Sequence, residues 1–170
     1  KGCRIQNLQI DGNKTNYASF RNFGIYLNES SNNTIAGNTC NNNNNHGIIL
    51  YLSNDNTITG NTCINNSYSG IFVNKSNNNT ITGNTFKNND NDGICLNVSS
   101  NNTIAGNTCN NNTDSGICLN ASSNENTTTS NTCNNNNYGI YLSSYSNNTI
   151  AGNTCNNNNT GIYLDGSNNN

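Results

Sequence analysis

The sequence predicts an all-β chain folded as a right-handed single-stranded parallel β-helix, a solenoid of about seven coils with ~23 residues in each. Three observations lead there. Glycine opens the same phrase at Gly24, Gly47, Gly70, Gly93, Gly116, Gly139 and Gly161, at spacings of 23, 23, 23, 23, 23 and 22 residues, and a strict period in this range marks stacked equivalent units. Within each phrase apolar and polar residues alternate with the period of a strand. Asn-Gly, the favoured two-residue hairpin turn, is absent from a chain full of asparagine, so the strands are not joined as hairpins and pair one coil up instead.

Each coil then reads in order. Gly24-Ile25-Tyr26-Leu27 and Thr34-Ile35-Ala36 are short strands, and Thr39-Cys40 follows after a Gly-Asn turn. Alternation sends Ile25, Leu27, Ile35 and Cys40 inward, and the set recurs as the columns Ile48, Ile71, Ile94, Ile117, Ile140, Ile162 and Leu50, Val73, Leu96, Leu119, Leu142, Leu164. Gly37 and its equivalents permit a backbone angle that other residues resist. The asparagines that follow (Asn38, Asn61, Asn84, Asn107, Asn131 and Asn153) both donate and accept, and so could form a ladder inside the bend. The unit from Gly116 carries an extra residue and lacks the turn glycine, which predicts a bulge over Glu125 to Ser130. The whole chain, residues 1–170, reads as one domain, with 1–23 a degenerate first coil and 24–170 the regular repeats. Because it starts and stops within a repeat, it reads as an excised piece whose open end coils need a cap, more coils or another copy.

Composition bounds the function. With 30% hydrophobic and 8% charged residues the chain would pass for a disordered one, but the apolar residues fall in fixed columns. A formal charge of -2 and no basic stripe argue against nucleic acid as a partner. No apolar run approaches the ~20 residues of a membrane helix, so membrane insertion is not expected.

The phrase Asn32 to Leu50, repeated at Asn101 to Leu119, resembles the repeats of the NosD-type right-handed parallel β-helix family. The resemblance covers nearly the whole chain. It implies an extracellular, cell-surface location, membership of large repeat proteins of methanogenic archaea, and a link to carbohydrate binding or processing in related β-helices. The family name refers to periplasmic copper handling; with no methionine and His46 as the single histidine, copper held by soft ligands finds little support in the residue types.

Cys40, Cys63, Cys109, Cys133 and Cys155 share an inward column interrupted by Phe86 and read as buried free thiols packing as small apolar groups. Cys3 lies outside the columns and reads as a free end or an intermolecular link. Cys95 and Cys118 belong to an outward column with Tyr26, Ile49, Phe72, Tyr141 and Tyr163. That stripe is too apolar for a solvated face and is the candidate binding surface, for association or for stacking on sugar rings. The thiol pair on it could oxidise, join chains or lie covered. Among the N-x-S/T sites, Asn28, Asn74, Asn97 and Asn120 are glycosylation candidates if the chain is secreted.

Asp90, Asp92 and Asp114 fall at the ends of neighbouring coils and form the one candidate metal site, for calcium through oxygen ligands; no other cofactor is expected. No catalytic set assembles: Asp55 and Glu125 share a column but stand three coils apart, and Lys75 and Lys87 are the only basic residues of the regular array. The sequence therefore predicts no enzyme. It predicts a rigid structural element of the cell surface that self-associates into fibre, sheath or surface-layer assemblies, or packs on neighbouring coils of a longer chain. A carbohydrate-binding module is the alternative, and a non-catalytic fragment of a polysaccharide-processing enzyme the third reading.

Overall fold

The computed structural model describes residues 2–16, 21–143 and 147–166. Its regular elements are all strands, and they form three parallel sheets around one shaft. Face A has seven strands, from Arg4–Gln6 and Thr34–Ala36 up to Thr149–Ala151. Face B has five, from Gln9–Asp11 to Thr108–Asn110, continued by single bridges at Thr132 and Thr154. Face C has seven, from Ile25–Asn28 to Thr160–Asp165. Seven strands on a face are separated by six steps, so the right-handed solenoid makes about six turns where the sequence suggested about seven.

Register follows the repeat. Ile48 pairs with Ile71, Ile71 with Ile94, and Cys40 with Cys63, so identical columns stack at one-coil spacing. On face A from Thr34–Ala36 to Thr127–Thr129 and on face B from Thr39–Asn41 to Thr108–Asn110 the middle residue of each strand is buried between less buried neighbours, and the shaft is filled by columns such as Ile35, Ile58, Ile81, Ile104 and Cys40, Cys63, Phe86, Cys109, all fully buried. Gly47 and its equivalents lie against that shaft. A Cβ there would come within 2.7 Å of the Gly70 carbonyl oxygen and 2.8 Å of the Cys63 Cβ, which is why every phrase opens on glycine.

The asparagines explain how so polar a sequence closes so narrow a shaft. One ladder runs through Asn38, Asn61, Asn84, Asn107, Asn131 and Asn153, as expected; two more run through Asn33, Asn56, Asn79, Asn102, Asn126, Asn148 and through Asn43, Asn66, Asn89, Asn112, Asn136, Asn158. At each step the backbone N–H and the Nδ2 of one residue donate to the Oδ1 one coil on, as from Asn61 to Asn84 at 2.8 and 3.0 Å. The same Nδ2 donates back to the Ile35 carbonyl at 2.9 Å. Ser53, Ser76, Ser99 and Ser123 do the equivalent work at a further bend. Buried bend amides need partners, and stacking supplies them at every coil.

The irregular unit is resolved differently from the expectation. Ser130 takes the place of the missing glycine with φ 55, close to the φ 62 of Gly37. The extra residue is absorbed earlier, at Ala121 and Ser122, both with positive φ, where the Val98 N–H is shared between the carbonyls of Asn120 and Ala121.

Candidate metal centre on face C

The outward column of face C stacks in register as expected, Tyr26 on Ile49, then Phe72, Cys95, Cys118, Tyr141 and Tyr163. It is not an open stripe. Tyr26 and Tyr163 are exposed, Phe72 and Tyr141 half-buried, and Ile49, Cys95 and Cys118 buried. The cover comes from the residue before each repeat glycine, a column running Phe23, His46, Ser69, Asp92, Ser115, Tyr138. Large rings lean over the stripe at both ends: Phe23 packs on Tyr26 at 5.5 Å, His46 stacks on Phe72 at 4.9 Å and 12°, and Tyr138 tilts against Tyr141 at 5.3 Å. Between them Ser69, Asp92 and Ser115 are small. The gap becomes a cavity of about 570 Å³ lined by Asn91, Asp92, Cys95, Asp114, Cys118, Asn120, Asn137, Tyr138 and Tyr141.

On its wall a carboxylate oxygen of Asp92 and the Sγ atoms of Cys95 and Cys118 lie within 4.8 Å of one another, and all three residues are buried. The fold places them by two steps. The corner at Gly93 turns the chain so that Asp92 and Cys95 face the same side, and the pairing of Cys95 with Cys118 sets the second thiol one coil on. Asp92 is held by the Ser115 N–H, which donates to Oδ1 at 3.0 Å, and by Asn91 Nδ2, which donates to Oδ2 at 3.1 Å. Burial pushes its pKa up to about 6, opposed by the Ser115 N–H and reinforced by the Asp114 charge. The Cys95 thiol is held well above its usual range, first by its hydrogen bond with Cys118 and then by burial. A bound cation would reverse both effects, because it favours the deprotonated donors.

The expected calcium trio is not what assembles. Asp90 points away, 59% exposed and paired with Lys14 at 3.3 Å. Asp92 and Asp114 do share the cavity, but Asp92 is grouped with two sulfurs. Calcium takes six to eight oxygens; two thiols and one carboxylate suit a soft or borderline ion, copper(I) or zinc(II). The expectations of no cofactor beyond calcium, and of residue types unsuited to copper, are therefore corrected. The signal was present as Asp-Gly-Ile-Cys followed by a second cysteine 23 residues on, and only the cover of the stripe was invisible. Of the glycosylation candidates, Asn28 is exposed, Asn97 Nδ2 donates to Asn74 Oδ1 at 3.1 Å, and Asn120 lines the cavity. His46 stands apart from the trio, its Nδ1 accepting the Ser69 N–H at 3.0 Å. Burial lowers its pKa to about 4.

Solved structures that share the fold include alginate epimerases. The A-module of the Azotobacter vinelandii mannuronan C-5 epimerase AlgE4 superposes with a TM-score of 0.77 at 15% identity, over 99% of this chain and 58% of that one. The AlgE6 A-module from the same organism gives 0.72 at 15%, over 98% and 58%. A mutant of the periplasmic alginate epimerase AlgG gives 0.64 at 24%, over 84% and 35%. This chain thus spans about three-fifths of the epimerase modules' length. At these identities the likeness shows the shared fold, and the expectation of no enzyme is corrected to that extent: the solved solenoids named here are enzymes, so the fold gives that expectation no support. A search of curated protein sequences finds no match. Residues 7–170 match the profile of the family described as periplasmic copper-binding protein (NosD), and the chain belongs to that family.

Proposed function

We propose that this chain is a metal-binding β-solenoid of the cell envelope, with a single soft ion, copper(I) first, held by Asp92, Cys95 and Cys118. One observation carries the reading: a carboxylate and two sulfurs converge within 4.8 Å on the wall of a cavity, each buried. Support comes from the family's description and from the periplasmic setting of AlgG. Cys95 and Cys118 supply sulfur from adjacent strands that the sheet hydrogen bonds hold at fixed spacing, so little reorganisation is needed. Asp92 adds a negative charge, oriented by Ser115 and Asn91. The other cysteines of the shaft face inward, and Cys40, Cys63, Cys109 and Cys133 have no surface exposure. The test is an anaerobic competition for copper(I) against a chromogenic chelator. The expected result is one tightly held ion per chain, lost when Cys95→Ser and Cys118→Ser are combined. Absence of stoichiometric uptake, or uptake indifferent to that double change, would refute the reading.

A second reading, glycan binding, has its own support. Tyr141 and Tyr163 stack at 5.6 Å and 11°, beside Tyr138, and extend the cavity rim as a flat aromatic platform. The cavity lining contains Asp92 and Asp114 but neither Lys nor Arg, so it favours a neutral sugar over a polyuronate. Binding of neutral oligosaccharides that Tyr141→Ala abolishes is the expected outcome. Assembly into fibres is the other proposal from the sequence; sedimentation of the protein across a concentration series tests it.

A further inference from the structure

Asp92, Cys95 and Cys118 supply three donors to an ion, and they line a cavity from which a fourth position on it can be reached. Resting on the metal reading above, we infer that the position is filled by an imidazole from outside the chain, the side chain of a histidine on a protein partner. Four features of the cavity select that ligand. Its volume, about 570 Å³, equals roughly twenty waters at about 30 Å³ each, far more than one coordinated water needs and enough for a side chain with its backbone. Asp92 and Asp114 contribute two carboxylates to a lining with no Lys or Arg, so a neutral donor enters more readily than a thiolate or a carboxylate. Tyr138 and Tyr141 offer ring surfaces to a flat group, and the amides of Asn91, Asn120 and Asn137, with the Asp114 carboxylate, are acceptors for an N–H. A thioether satisfies none of these polar groups.

Imidazole fits the set. One ring nitrogen donates its lone pair to the ion, the other donates its N–H to Asp114, and the ring lies against the tyrosines. Metal-bound imidazoles regularly donate their free N–H to a carboxylate, and here Asp114 stands in the cavity without a histidine of its own chain to serve. The same column already carries one such contact: the His46 ring lies parallel on Phe72 at 4.9 Å. His46 cannot be the missing ligand, because its Nδ1 is held by Ser69 and its ring is fixed on Phe72, outside the cavity lining.

The experiment uses the intact chain loaded with copper(I) under argon and checked for ion content. Imidazole is titrated in while X-ray absorption follows coordination number and calorimetry follows affinity. Coordination should rise from three to four with a nitrogen scatterer added. In loaded samples of the Asp114→Asn variant, imidazole affinity should fall 10- to 100-fold. A histidine-containing peptide should bind more tightly than free imidazole, and its methionine counterpart should not bind. If copper binds but imidazole changes neither signal, this inference is overturned while the metal reading stands. A four-coordinate ion before imidazole is added also overturns it. Failure to take up copper at all overturns both.

Discussion

Replacing Asp92 with asparagine should change stability and metal binding in opposite directions. In the metal-free fold the Asp92 carboxyl has a pKa raised from 3.8 to about 6, with burial the main cause. A carboxyl that binds its proton more tightly when folded costs nothing below the unfolded value. The cost grows as pH rises between the two values and is fully present above about 6. A shift of about two units corresponds to about 3 kcal/mol at 1.36 kcal/mol per unit. Asparagine removes the charge and keeps an oxygen for the Ser115 N–H, now bonded to Asp92 Oδ1 at 3.0 Å. Urea unfolding of metal-free protein should therefore show Asp92→Asn more stable than the parent by about 2 to 3 kcal/mol at pH 8 and equal to it at pH 4. With copper(I) present the order should invert, because an ion at 1,000 times its dissociation constant adds about 4 kcal/mol to the parent alone. A variant no more stable than the parent at pH 8, or a difference that does not vary with pH, would refute the account of Asp92 as a buried, strained carboxylate awaiting a cation.

Other changes probe the shaft and its bends. Thr128 stands in the column of Ile104 and Ile150, fully buried, with an Oγ1 that has no partner; Thr128→Val should raise stability by about 1 to 3 kcal/mol in the same unfolding assay. Asn84→Ala removes the Oδ1 that accepts both the N–H and the Nδ2 of Asn61. With the buried Asn61 N–H orphaned, while its Nδ2 keeps the Ile35 carbonyl, the loss should be about 1 to 3 kcal/mol, and amide exchange should accelerate first around residues 58–61 and 84. His46, whose pKa burial lowers to about 4, should titrate by NMR with a midpoint near that value. Because its folded pKa is depressed, the neutral form belongs to the fold, and its contribution to stability is lost as pH falls from 6.5 toward 4. A midpoint near 6.5 would show the ring free of Phe72.

The asparagine content shows where reading the sequence reaches and where it stops. The column after the turn glycine was legible because one spacing and one residue type recur together. The other two ladders use asparagines with the same spacing, yet among runs such as Asn41 to Asn45 nothing marks which one turns inward until the coil closes. The bulge was legible as one residue too many. Its place was not, because Ser130 accepts the left-handed angle and lets Ala121 and Ser122 absorb the excess. Asp90 and Asp92 look interchangeable in the string, but their burial is opposite, Asp92 at 3% exposure and the Asp90 side chain at 59%.

The repeat alone determined that the chain is a parallel solenoid, which residues fill it and which share a column, because a period of about 23 residues and an alternation of two leave one way to stack the coils. What the outward column of face C is for was decided by the tertiary structure. Cover depends on the size of side chains that cross from the neighbouring bend, and a column of mixed sizes records that size without showing where it leans. Rings at His46 and Tyr138 with small residues between them turned an apparent contact stripe into a pocket, and the pocket joined Asp92 to Cys95 and Cys118.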